Sequence, residues 1–157
     1  MRRFIGWAVL LGGIVLGVAA CASMGEQESM RAPEQTMPSL YQRLGGHHGI
    51  ALVVDDFDAI LVADDRVSAR FTAMKPADVS RLKSHAADQV CAATGGPCAY
   101  LGRDMKTAHR GMNITDAEWD ATVEDLVKAL DKNKVDPKDK SELLGMLGPM
   151  KADIVGQ

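Results

Sequence analysis

Four histidines and three cysteines are the side chains of this 157-residue chain best suited to hold a metal or carry electrons. His85 follows Leu82 by three residues and adjoins Ala86, on the expected inward stripe of a helix. His109 ends a short segment four residues after Met105 and not far from Tyr100. A single inward histidine is ordinarily a core residue with satisfied nitrogens. Two of them, on different helices flanking a glycine-rich corner, can face each other across a cavity. Neutral imidazole binds iron through one nitrogen while a hydrogen bond orients the other, so such a pair is a candidate metal or haem site. Periodicity alone leaves both readings open. His47 and His48, just after Gly45-Gly46, read as exposed loop residues, and nothing has the sequence spacing of a zinc site.

The cysteines divide by position. Arg2 and Arg3 precede an apolar run from Phe4 to Ala20, too short and too glycine-broken for a membrane span but ordered like a secretory signal. It ends in Val18-Ala19-Ala20-Cys21, which resembles the lipobox of bacterial lipoproteins and implies lipidation at Cys21. Cys91 and Cys98 then remain, flanking Gly95-Gly96-Pro97. They are either a disulfide, strained if Cys91 lies on a regular helix, or two idle thiols. The expected organisation is a signal peptide over residues 1–20, a flexible tether over 21–38 and a folded domain over 39–155. Ala22 after the cysteine favours an exported, periplasm-facing protein of the outer membrane over inner-membrane retention.

The elements that must position these residues are helical. A net charge of −3 excludes a basic nucleic-acid-binding surface, and 25% charged residues exclude a multi-span membrane protein. Ser39 reads as the cap of a short helix stopped at Gly45-Gly46. Ile50, Val53, Val54, Phe57, Ile60 and Leu61 fall on one helical face, and Pro76 opens a helix with Val79, Leu82, Ala86, Val90 and Ala93 as its stripe. Asp104 to Arg110 is a brief helix, and Thr115 with Glu118 forms a capping box ahead of Trp119, Val123, Leu126, Val127 and Leu130. Asp136-Pro137 begins a last helix, with Leu143, Leu147, Met150 and Ile154 on one face and a bend at Pro149. No alternating run supports a sheet. The fold class is all-α.

At this point the ordered residues become recognisable. Leu40-Tyr41-Gln42-Arg43-Leu44-Gly45-Gly46, Val53 to Phe57, Ala63-Asp64-Asp65-Arg66-Val67 and Phe71 resemble the opening of the group 1 truncated haemoglobins. Ser80-Arg81-Leu82-Lys83, Gly95-Gly96-Pro97, Tyr100, Gly102-Arg103, Met105-Lys106, His109 and Ile114-Thr115 continue the resemblance, which covers about residues 39–154. It implies a truncated globin, a two-over-two helical sandwich around haem b that binds the diatomic ligands O2, NO or CO at iron. Position by position it implies His109 as proximal iron ligand and Phe71 as the aromatic packed on the porphyrin. Leu82, Tyr100, Met105, Ile114 and Trp119 match pocket-lining positions, with Arg81 and Lys83 placed to pair with propionates.

Two departures shape the expected function. Many members carry, after the phenylalanine at the Phe57 position, a tyrosine whose hydroxyl donates to the gas ligand; here Asp58 follows Phe57. A carboxylate there either protonates through burial or turns to solvent, and the usual donor is missing. Gln89, one turn beyond His85, is a weak substitute. His85 itself aligns with a distal histidine that binds iron in some members, which implies a six-coordinate resting haem with Ala86 leaving room beside the imidazole. Covalent haem attachment by a last-helix histidine is not implied, since the neighbouring position is Lys151. The expectation is a membrane-anchored haem protein suited to redox, NO-related or sensing roles, with any NO dioxygenase or peroxidase-like turnover needing an unidentified electron donor. The competing reading is a haem-free, membrane-tethered interaction module on a globin scaffold.

Overall fold

Local chemistry sets each helix end in the computed structural model, which describes residues 37–157. The expected signal peptide, Cys21 and most of the expected tether lie outside the described residues. Ser39 and Gln42 exchange side-chain-to-backbone hydrogen bonds, a capping box that starts α1 (Leu40–Arg43). After Gly45 comes α2 (Gly46–Leu61), burying Ile50, Val53, Val54 and Leu61 at helical spacing. A 3₁₀ turn (Ser68–Arg70) leads to α3 (Pro76–Ala93), with Pro76 in its first turn. Asp104 caps α4 (Met105–His109) by accepting from the Thr107 N–H. The expected Thr115–Glu118 box starts α5 (Asp116–Lys132).

Asp136 caps α6 (Pro137–Leu147). The last helix does not merely bend at Pro149. It stops, passes through a 3₁₀ turn (Gly148–Met150) and resumes for one turn as α7 (Lys151–Ile154). Among the described residues no strand forms, and an isolated bridge joins Ile114 to Val155. Gly156 N–H donates to the Ile114 carbonyl at 2.9 Å, tying the chain's last residues to the turn before α5.

α2 is the hub, packed along α3 on one side and α5 on the other. Ile50, Val53 and Val54 of α2, Ala87 and Cys91 of α3, Ala129 and Leu130 of α5, and Leu143 of α6 form one buried cluster. The helices are thus the expected two-over-two sandwich. Arg43 anchors α1 to α6 through the buried Asp139, 2.7 Å away. In the turn after α2, hydrogen bonds from the Arg66 side chain and backbone N–H hold the Asp64 carboxyl well below the usual carboxylate range.

One expectation needs correction. The stripe Val79, Leu82, Ala86, Val90, Ala93 is not the deepest face of α3. Ala87, Cys91 and, just past the helix, Thr94 are the buried positions, whereas Leu82 is 40% exposed and Ala93 is exposed. Small side chains let α3 approach α2 closely, so the face carrying them turns inward and the bulkier apolar face rotates away. On α5, likewise, Ala121, Asp125 and Ala129 are buried while Trp119, Val123, Leu126 and Val127 stay half-buried.

The α1–α2 corner has no spare room. A Cβ on Gly49 would sit 2.0 Å from the Leu44 carbonyl oxygen, a backbone atom that cannot yield without moving the corner. Gly49→Ala is therefore expected to cost about 3 kcal/mol, at the upper end for overpacking, measured as a lower urea midpoint of the full chain. Gly145→Ala on α6, where a Cβ meets nothing within 4 Å, is the matched control and should be neutral or stabilising.

Candidate functional site

The side of α3 turned toward the segment entering α4 is where the family resemblance puts the haem cleft. On α3, Leu82, His85, Ala86 and Gln89 lie at i, i+3, i+4 and i+7 and so share one side of the helix. That side looks toward the segment running from Tyr100 into α4. The His85 ring meets the Tyr100 ring edge-on, centroids 6.1 Å apart, and the Gln89 amide reaches the Met105 sulfur at 3.6 Å. Neither α4 nor α5 packs extensively on α3. Leu82 and Ala86, apolar and incompletely buried on that side, are what a large, flat, mostly apolar molecule would cover.

His109 supplies the donor such a molecule would need. As the last residue of α4 it places Nδ1 2.8 Å from the Met105 carbonyl oxygen. A carbonyl can only accept, so Nδ1 carries the proton and donates, leaving the Nε2 lone pair free. This is the arrangement that fixes tautomer and ring direction in metal-binding histidines. This donor chemistry fits a haem iron.

The remaining predicted residues distribute around this cleft in distinct ways. Tyr100 spends its hydroxyl proton on the Arg103 carbonyl at 2.7 Å, and burial followed by the nearby Asp104 charge pushes its pKa up. Its ring edge is what remains for His85. Gln89 points its amide nitrogen at two thioethers, Met150 at 3.3 Å and Met105 at 3.6 Å, which are weak acceptors. Phe57 spans the two core clusters, and Phe71 packs on Leu61, Val67 and Ala121. Ala86 packs against the main core, and Met105, Ile114 and Trp119 are half-buried.

Arg81 and Lys83 already have partners. Arg81 lies 2.5 Å from Asp78 on its own helix, and Lys83 lies 2.5 Å from Asp55 of α2. The hydrogen bond to Asp55 holds the Lys83 ammonium pKa above its usual value, with the more distant charge of half-buried Asp58 adding to it. Cys91 and Cys98 are joined as a disulfide with Cα atoms 5.8 Å apart, linking the last turn of α3 to the segment that carries Tyr100. Lys151 reaches Asp116 at 2.8 Å.

Two contacts have no sequence signal. Met150, expected on the apolar face of the last helix, meets the Gln89 amide at 3.3 Å beyond the break at Pro149. Arg70 donates to the Met112 carbonyl at 2.6 Å and to Glu118 at 2.8 Å, joining the turn beside Phe71 to the start of α5 beside Trp119. A basic residue in a short turn does not announce such a reach.

Comparison with known proteins agrees with this geometry. The family model described as bacterial-like globin matches residues 39–155. A group 1 truncated hemoglobin of Mycolicibacterium paratuberculosis is 34% identical over 116 residues, covering 74% of this chain and 83% of that protein. The corresponding Synechocystis protein is 29% identical, covering 77% of this chain and 100% of the relative. Among solved structures, the Fe(III) form of the truncated hemoglobin of Tetrahymena pyriformis superposes with a TM-score of 0.71 at 28% identity, covering 76% of this chain and all of that one. The 2/2 hemoglobin of a Synechococcus species, solved in the cyanomet state with covalently attached heme, gives 0.69 at 30% identity, covering 75% of this chain and 98% of that one.

Proposed function

Given that this chain belongs to the bacterial-like globin family as a group 1 truncated haemoglobin, we propose that it works as a six-coordinate haem protein in redox, NO-related or sensing chemistry. It is a haem-binding globin that takes diatomic ligands, and its cofactor is haem b. When bound, haem supplies a redox-active iron with an axial position for O2, NO or CO. The observation that carries the reading is the orientation of the His109 ring, with a second histidine, His85, on the side of α3 turned toward Tyr100. His109 has its Nε2 freed by the Met105 hydrogen bond, and His85 stands on the cleft face of α3.

The chain's residues divide the work. His109 would hold the metal from α4, its basicity raised by the proton it donates to the Met105 carbonyl. His85 of α3 would compete with incoming ligands, so apparent affinity would fall with the fraction of time it is bound. Asp58 offers no neutral hydroxyl donor, and Gln89 is turned toward Met105 and Met150. Both features favour ligand exchange and electron transfer over tight oxygen storage. Turnover requires an external electron donor. The signal-like start and Cys21 lead us to place the protein on the periplasmic side of a membrane, held by a lipid anchor.

The test is CO binding to the ferrous full chain by stopped flow. The observed rate is expected to rise with CO concentration and then level off at the rate of His85 departure. A rate that stays linear in CO throughout would contradict the six-coordinate reading.

A further inference from the structure

Away from the haem cleft, at the corner where α2 begins and α3 ends, three potential metal ligands from separate parts of the chain converge. Ligand atoms of His47, Asp88 and Cys98 all lie within 4.8 Å of one another. His47 is exposed, and Asp88 and Cys98 are half-buried. The Asp88 carboxylate makes no hydrogen bond or ion pair among the described residues, although it sits on a helix whose other acidic and basic groups do. His47 and Asp88 also line one end of a cleft of about 390 Å³ between α2 and α3. The one ammonium in that cleft, Lys83, is engaged by Asp55.

The corner is built to stay in place. The His47 N–H donates to the Tyr41 hydroxyl at 3.0 Å, and the Tyr41 N–H donates to the Thr94 carbonyl at 3.0 Å. The Tyr41 ring and the Cys91 sulfur crowd Gly96 so closely that a Cβ there would meet them at 2.5 and 2.6 Å. Gly96 N–H donates to the Cys91 carbonyl at 2.8 Å, which keeps Cys98 near the end of α3 independently of its sulfur.

We propose that reduction of the Cys91–Cys98 disulfide opens a zinc site made of His47, Asp88 and Cys98. While the bond is intact, the Cys98 sulfur is committed to Cys91, and two ligands from an imidazole and a carboxylate hold zinc poorly. A dithiol reductant supplies two electrons and two protons: the S–S bond breaks, two thiols form and the reductant becomes its own disulfide. Zinc then displaces the Cys98 thiol proton to solvent and gains thiolate, imidazole and carboxylate, with water in the fourth position. Sequence spacing gives no sign of the site because its ligands come from three different elements.

The experiment uses the haem-loaded full chain with Cys21→Ser in every arm, so that no thiol outside the Cys91–Cys98 pair competes and the haem histidines are engaged. Oxidised and reduced protein are titrated against a chromophoric zinc chelator. The reduced form is expected to withdraw one equivalent of zinc and the oxidised form none. In the reduced form, His47→Ala and Asp88→Asn should each weaken binding by at least the ~100-fold that loss of an outer partner can cost a metal site. His47 is exposed, so its removal leaves the fold intact, as the haem spectrum will report. Reduced protein that leaves the chelator's zinc untouched overturns the proposal. So does tight binding that survives both substitutions, which would assign the metal to the two thiols alone.

Discussion

Replacing His109 by alanine is expected to cost the protein its haem. The imidazole is held by one internal hydrogen bond, from Nδ1 to the Met105 carbonyl, and is only half-buried, so its loss removes little from the core. What it removes is the donor on α4. Transfer of haem from His109→Ala to an acceptor apoprotein should be faster than from the parent by more than the ~100-fold that loss of a partner outside the coordination shell can cost. Far-UV circular dichroism should remain helical. Millimolar imidazole added to His109→Gly should slow the transfer again by refilling the vacated space. Slow haem transfer from His109→Ala, matching the parent, would mean that another side chain holds the metal.

Replacing His85 by alanine is expected to do the reverse for ligands while keeping the haem. If His85 occupies the sixth position for about 90–99% of the time, its removal raises apparent CO affinity by ~10- to 100-fold. Tyr100 loses the ring it meets edge-on but keeps its hydrogen bond to Arg103, so the segment leading to α4 should hold its position. CO titration of the ferrous variant checks this. An unchanged affinity would place His85 at the haem edge, outside the ligand's path.

Helix starts were legible wherever a single short-range rule governs them. Pro76 in a first turn, the Thr115–Glu118 box and Asp136 before Pro137 each act within four residues, and each starts its helix as expected, while Asp104, expected inside its brief helix, caps it instead. Helix faces were harder. On α3 the periodic stripe pointed to Leu82 and Ala86, but Ala87 and Cys91 go deepest because they let α3 approach α2. That displaced apolar face is what leaves His85 and Gln89 on the cleft. Periodicity marks apolar residues without saying which of two apolar surfaces meets protein.

Partners distant in sequence were not legible at all. Lys83 is met by Asp55, and that contact exists only once α2 lies beside α3. The Gln89 amide is met by Met150, which lies beyond the break at Pro149. The half of the site resting on local sequence order, Met105 to His109, was the legible half, because the hydrogen bond that orients His109 is made within one helical turn.

The most direct test of the account is the spin state of the ferric full chain near neutral pH, read by electron paramagnetic resonance together with its absorption spectrum. Two imidazoles on one iron give a low-spin signal, and the parent protein is expected to show it as the dominant species. A high-spin signal with water in the sixth position would contradict the claim that His85 of α3 and His109 of α4 share the metal.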